Sequence, residues 1–187
     1  MNDSWVLDEL KRRNILQSGH FRLTSGKHSS GYMQCAGVFK DPQFAAAVVK
    51  TLVQHLDYEV DKVISPAIGG VLMGYETARH LQVENIFAER AEGEMALRRG
   101  FSLSPGERVL VVEDVVTTGG SVKEVLGLVE ASGAKAAAVA VLVDRSAGGA
   151  DFGVPFHWLV QVDLPTYEPE QCPLCQQGMA IDKPGSR

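Results

Sequence analysis

The sequence has no apolar run long enough to cross a bilayer, so no membrane span is expected. It has three cysteines, an odd number without framework spacing, which excludes a disulfide scaffold and points to a reducing cytoplasm. It lacks Gly-x-x-x-x-Gly-Lys-Ser/Thr and Gly-x-Gly-x-x-Gly, the loops of P-loop and dinucleotide-binding proteins. Positive charge is in deficit: 18 Lys and Arg against 23 Asp and Glu give a formal net charge of −5. Such a chain is a poor nonspecific binder of nucleic acid, although a local basic patch for a charged metabolite remains open. The first ten residues are acidic and amphipathic, unlike a signal peptide. Internal repeats and low-complexity segments are missing as well.

What is present suits one soluble domain: 187 residues, 45% hydrophobic and 22% charged. The chain is organised around Val109–Ser121, Val-Leu-Val-Val-Glu-Asp-Val-Val-Thr-Thr-Gly-Gly-Ser. Four apolar residues between Pro105-Gly106 and two acids predict a strand buried on both faces. Glu113 and Asp114 fall where that strand emerges, and Ser121 opens an amphipathic helix over Val122–Ala131.

In open α/β sheets, ligands bind beyond the carboxyl ends of the strands. A helix N-terminus presents unpaired N–H groups and partial positive charge, which suits a phosphate. Gly119 and Gly120 permit close approach of an anion, and Thr117, Thr118 and Ser121 add hydroxyl donors. Two carboxylates repel phosphate but suit a polyol or a metal-bound sugar. The stretch therefore asks for a sugar phosphate, hydroxyls on the acids and phosphate on the loop. The competing reading is an ordinary strand-to-helix connection with Ser121 as N-cap.

The flanks follow the same grammar. Trp5 to Leu16 has helical spacing, with Asp3 or Ser4 as cap and Gly19 as terminator. Gly19–Ala36 reads as short strands around a polar turn in which His28 is a solvated residue. Asp41-Pro42 starts a helix through Leu56, Val60–Ser65 is a strand, and Pro66 to Gly70 leads to a helix over Val71–Leu81. Asn85–Glu89 is a further strand, and Ala88–Phe101 is charged without a clear apolar face, which on its residues alone also reads as a solvated hairpin. Ala134–Leu142 and Phe156–Val162 complete the strands of an α/β fold with a mainly parallel sheet. The tail carries Cys172-Pro-Leu-Cys175, half of a zinc site. A full site needs two more ligands, which the same pair of a partner subunit could supply. A redox pair or two plain thiols are the other readings.

Val109–Ser121 strongly resembles the phosphoribosyl diphosphate (PRPP) signature of type I phosphoribosyltransferases. Gly19-His-Phe-Arg-Leu-Thr-Ser-Gly26, followed by Ser and Tyr32, resembles the N-terminal hallmark of the orotate phosphoribosyltransferases. The resemblance covers most of Gly19–Ser146. It implies the type I phosphoribosyltransferase fold as one domain over residues 1–187, with a hood from residues 1–36 plus the C-terminal segment and a core over 40–162. It assigns Glu113, Asp114, Val115, Val116, Thr117, Thr118, Gly119, Gly120 and Ser121 to PRPP, with Glu113 and Asp114 as the catalytic pair.

The resemblance further gives Ile68, Gly69 and Gly70 to pyrophosphate and Arg90 to PRPP. Thr117, Arg145, Tyr32 and Met33 go to orotate, and Asp144 is expected to orient Arg145. Ala88–Phe101 becomes a mobile loop closing over the site, with Arg90, Arg98 and Arg99 as its cations. The chain departs from the family at Thr24 and Gly69, where lysines are common, and at Met33, where an aromatic is usual. Lys27 or His28 is a candidate to replace the first lysine. The implied reaction joins orotate to PRPP, giving orotidine 5′-monophosphate and pyrophosphate in pyrimidine synthesis. Mg²⁺ carried by substrate (Asp114 a candidate contact), a cytoplasmic homodimer with shared sites, and no nucleic-acid or membrane partner are implied with it. Two rivals are a phosphoribosyltransferase for another base and a PRPP-sensing regulator without turnover.

Overall fold

In the computed structural model, which describes residues 3–184, Val109, Leu110, Val111 and Val112 are all fully buried. They belong to β6 (Arg108–Val116), an interior strand of a six-stranded sheet. Its neighbours are β3 (Lys62–Pro66) and β7 (Lys135–Asp144), both parallel to it. Beyond β3 lie β4 (Glu84–Ala91), parallel, and β5 (Glu94–Leu97), antiparallel; beyond β7 lies β8 (Phe156–Gln161), parallel.

Side chains alternate across a strand, and the two faces of β6 serve different cores. Leu110 and Val112 pack with Val48, Leu52 and Met73 from α2 (Pro42–Val53) and α3 (Gly69–Leu81). Val109 and Val111 pack with Val122, Val125 and Val129 of α4 (Gly120–Ala131). Each such side chain, fully removed from water, contributes about 1.5–3 kcal/mol. The layered arrangement fixes the carboxyl ends of β3, β6 and β7 at one edge of the molecule.

A separate antiparallel sheet joins β1 (Leu16–Arg22), β2 (His28–Met33) and β9 (Thr166–Tyr167), so the C-terminal segment returns to the N-terminal strands. No helix among the described residues is long and apolar enough to cross a membrane.

Two expectations change, and between the two readings of Ala88–Phe101 the structure takes the hairpin. The first helix, α1 (Ser4–Arg12), has Asp3 as its cap but ends well before Gly19, because Asn14 turns left-handed (φ 55°) and the chain enters β1. Met1 and Asn2, part of the N-terminal reading, lie outside the described residues. Ala88–Phe101 is largely a β-hairpin: β4 and β5 pair from Ala88↔Leu97 to Ala91↔Glu94 through a turn with positive φ at Glu92 and Gly93. Both α3 and α4 start earlier than predicted, at Gly69 and Gly120, so their glycines form the first helical turns.

Candidate active site

Glu113 and Asp114 sit near the end of β6, each only 9% exposed. Neither forms an ion pair among the described residues. The Asp114 backbone N–H donates to Glu113 Oε1 at 3.2 Å. Burial first, and then the neighbouring Asp114 charge, pushes the Glu113 carboxyl up; burial does the same to Asp114. Two acids crowded at a strand end without a cation form a ready site for hydroxyls or a hard metal ion.

The loop after β6 builds a cradle of a kind suited to an anion. Gly119 adopts φ +76°, where a β-carbon would also meet the Phe152 ring at 2.8 Å. Gly119, not Ser121, is the N-cap of α4, and no side chain caps the helix. Its first N–H groups therefore remain available to an anion. Val115, Val116, Thr117, Thr118, Gly119, Gly120 and Ser121 line a cavity of about 210 Å³, with Glu113, Arg90 and Glu124 also on its wall. Arg90 is tied there, donating to Glu124 Oε1 and to the Gly93 carbonyl, each at 2.7 Å. Arg98 and Arg99 instead face Glu89, at 3.7 and 2.9 Å, and Arg99 lies over Phe87.

The loop after β3 closes the other side. A β-carbon on Gly69 would stand 3.2 Å from Asp114 Oδ1, and one on Gly70 would stand 2.9 Å from Glu113 Oε1. Any side chain at position 69 thus begins against a carboxylate. Ile68, the residue before α3, is 88% exposed.

Arg145 follows β7, and its N–H donates to Val116 O at 2.8 Å, which holds it beside the cradle loop. Its Nε is buried with no hydrogen-bond partner among the described residues. Asp144 does not pair with it as expected. The fully buried Asp144 carboxylate accepts from the Ser146 N–H at 2.8 Å and from the Gln161 amide at 3.2 Å. It fixes the backbone that carries Arg145.

In the hood, Tyr32 packs on Phe21 with ring centroids 5.8 Å apart, whereas Met33 packs against the main core. As neighbours in one strand they point to opposite faces. Lys27 pairs with Glu168 at 2.8 Å. His28 is buried rather than solvated, and its ring faces His20 and Cys175.

Three participants carried no sequence signal. Glu124 restrains Arg90, and Phe152 packs over Gly119 from a distant loop. Cys35 is buried near the acids: burial, then the Asp114 charge, pushes its thiol up, keeping it protonated. Each of these contacts is tertiary, and a lone cysteine has no spacing to read.

Comparison with known proteins matches the same region. Residues 38–152 match the phosphoribosyl transferase domain family. The chain is 53% identical to "Orotate phosphoribosyltransferase" of Thermotoga maritima over 183 residues, 97% of this chain and 98% of the relative. It is 50% identical to the protein of that name from Caldanaerobacter subterraneus subsp. tengcongensis, covering 100% of this chain and 99% of the relative. The crystal structure of orotate phosphoribosyltransferase from Aeropyrum pernix superposes with a TM-score of 0.72 at 26% identity, over 84% of this chain and 93% of that one. An adenine phosphoribosyltransferase from Thermoanaerobacter pseudethanolicus shares the fold with a TM-score of 0.63 at 20% identity, over 71% of this chain and 88% of that one. By sequence and by fold, this chain belongs to the orotate phosphoribosyltransferase family.

Proposed function

We infer that the chain transfers the 5-phosphoribosyl group of PRPP to orotate, releasing pyrophosphate and forming orotidine 5′-monophosphate. The observation that carries the mechanism is the placement of two buried, cation-free carboxylates directly before an uncapped helix N-terminus.

In this reading the 5′-phosphate lies on the loop Thr117–Ser121, held by the N–H groups of the first turn of α4 and by the hydroxyls of Thr117, Thr118 and Ser121. Glu113 and Asp114 hold the ribose hydroxyls. Pyrophosphate lies against Ile68, Gly69 and Gly70, with Arg90 at the rim. The bond from the ribose anomeric carbon to pyrophosphate breaks, a ring nitrogen of orotate bonds to that carbon, and the proton of that ring N–H is released to the departing pyrophosphate. Positive charge develops on the ribose, as in glycoside hydrolysis. The paired carboxylates stabilise it electrostatically, so the protein supplies no nucleophile.

Orotate carries a carboxylate, and the unpartnered Nε of Arg145 fits a paired hydrogen bond to it. Thr117, Tyr32 and Met33 complete the base site in this assignment. The hard oxygens of Glu113 and Asp114, lacking an ion-pair partner, fit Mg²⁺ brought in with PRPP. When bound, the ion neutralises phosphate charge and favours departure of pyrophosphate.

The assignment extends to one domain over residues 1–187, a hood and a core, and to a cytoplasmic homodimer. Leu72 and Tyr75 support the dimer: they are exposed three residues apart on α3, an apolar patch suited to a second copy.

The test follows orotate consumption by ultraviolet absorbance with PRPP and Mg²⁺, then with each omitted. Orotate loss in the complete mixture alone, reduced by Asp114→Asn and Arg145→Ala, is the expected result. A folded protein that binds PRPP without consuming orotate would overturn the reading; turnover of another base or binding alone would then distinguish the two rivals.

A further inference from the structure

Away from the phosphate cradle, His20, His28, Cys172 and Cys175 converge, their ligand atoms all within 4.8 Å of one another. His20 Nε2 is 3.1 Å from His28 Nδ1, 3.5 Å from Cys172 Sγ and 3.7 Å from Cys175 Sγ. Cys175 Sγ is 3.3 Å from His28 Nδ1. With Zn–N bonds of about 2.0–2.1 Å and Zn–S bonds of about 2.3 Å, a tetrahedral N₂S₂ site has edges of about 3.3 Å between nitrogens and about 3.5 Å between nitrogen and sulfur. These four of the six edges match that figure within a few tenths of an ångström, and the remaining two are no longer than 4.8 Å.

The surroundings are those of a ligand set. The His20 Nδ1 lies 2.8 Å from the Met179 carbonyl oxygen, which can only accept. Nδ1 therefore carries the proton, and the Nε2 lone pair faces the cluster, the outer-shell arrangement that orients metal-bound histidines. His20, His28 and Cys172 are buried, while Cys175 is exposed and gives an ion a way in. All three cysteines are free thiols.

We propose that His20, His28, Cys172 and Cys175 bind one zinc ion per chain and thereby pin the C-terminal segment onto the hood. The mixed imidazole and thiolate set, with four ligands and tetrahedral edges, selects Zn²⁺ over hard cations. The two ligands that complete the Cys-x-x-Cys pair come from β1 and β2 of the same chain, not from a partner. The site is structural, since four protein ligands leave no open position for substrate. It reinforces a seam already made by backbone bonds: Arg22 N–H to Asp182 O and Asp182 N–H to His20 O, both 2.8 Å.

The test uses the purified full chain under reducing conditions, stripped with a chelator and titrated with Zn²⁺ or Co²⁺ alone. One metal per chain is expected, with the intense visible bands of tetrahedral Co²⁺ and a thiolate-to-cobalt charge-transfer band. Cys175→Ser weakens binding by at least about 100-fold, beyond the usual cost of losing an outer-shell partner. Chelation lowers the melting temperature of the parent chain but not of that variant. Reduced, folded protein that takes up no stoichiometric metal, octahedral Co²⁺ spectra, or metal retained unchanged in Cys175→Ser would each overturn the site. Because Co²⁺ spectra are read on the parent chain, the proposal stays testable if the variant folds poorly.

Discussion

A β-carbon on Gly70 would stand 2.9 Å from Oε1 of Glu113 and 3.0 Å from the Ser65 β-carbon, so the loop after β3 and the acid of β6 are fitted to each other without slack. Gly70→Ala must displace Glu113 or shift the start of α3. Overpacking of this kind costs about 1–3 kcal/mol. The expected outcome is that loss in thermal or urea unfolding, with kcat/KM lower by at least about tenfold, or about 1.4 kcal/mol of transition-state stabilisation. Gly127→Ala is the contrast. Gly127 is exposed inside α4, and its β-carbon would meet nothing within 4 Å. That substitution raises stability by about 0.5–1 kcal/mol and leaves activity unchanged.

The raised carboxyls make a pH prediction with a definite sign. Glu113 is pushed up to about 8 by burial and by Asp114, so near neutral pH the folded protein holds a proton that the unfolded chain has released. Its stabilising effect is fully present below about 4.5 and is lost as pH rises through about 8. Glu113→Gln removes this dependence. Relative to the parent chain it gains stability across that interval, on the order of 1–3 kcal/mol at the alkaline end. Urea titrations at several pH values measure the difference, and a gap independent of pH would refute the cause. Binding of PRPP with Mg²⁺ near pH 7 should also release protons, seen as a buffer-dependent heat in calorimetry.

In the proposed assignment Arg145 divides the two substrates. A lysine at this position keeps the charge but cannot give a carboxylate two parallel N–H donors. Arg145→Lys is expected to raise KM for orotate by about 10–100-fold while KM for PRPP changes little. Asp144→Ala should act through Arg145, because Asp144 holds the Ser146 N–H and the Gln161 amide at the end of β7. Its expected loss is about 1–3 kcal/mol of stability, with KM for orotate rising and KM for PRPP unmoved. A larger change in the PRPP constant for either variant would place the guanidinium on phosphate instead.

The parts legible in the sequence were those set by local pattern. Val109–Val112 announces a doubly buried strand because its apolar run is short, three-quarters β-branched and bounded by Pro105-Gly106 and two acids. Gly119 announces a special backbone, and it adopts φ +76° with the Phe152 ring 2.8 Å from where a β-carbon would stand, whereas a β-carbon on Gly120 would meet only Thr118 Oγ1, at 3.8 Å. Segments governed by solvent were harder. Ala88–Phe101 is charged because the hairpin of β4 and β5 forms a sheet edge, and its Glu92-Gly93 turn carries none of the usual Asn-Gly signal. The end of α1 depends on a left-handed Asn14 that no periodicity reveals. The His20–His28 pairing was hidden for a different reason: the register of β1 on β2 shifts between Ser18 and Phe21, and His20 lies in that irregular stretch. Alternation cannot tell which face a bulged residue takes. The cysteines that join these histidines come from more than 140 residues downstream, in a segment held to the hood by β9 on β2 and by the backbone bonds of Asp182 to His20 and Arg22.

The pairing of Arg90 with Glu124 bears on how the cavity receives a highly charged ligand. Glu124 places a negative charge on the wall of the cavity assigned to phosphate in the proposed function and occupies the Arg90 guanidinium at 2.7 Å. Both side chains are substantially exposed, so the pair itself is worth little to stability, about 0–1 kcal/mol. Its effect should fall on binding. Glu124→Gln removes the repulsion and frees Arg90, and KM for PRPP is expected to fall a few-fold at low salt, with less change at high salt as screening takes over. Arg90→Ala should raise the same constant by about tenfold, since a charge-assisted phosphate contact is worth roughly 1.5–3 kcal/mol at most. In the double variant the benefit of Glu124→Gln should shrink, because part of it acts through the freed guanidinium. Additive effects of the two substitutions would mean that Glu124 acts on the ligand directly and that Arg90 contributes only as a long-range charge.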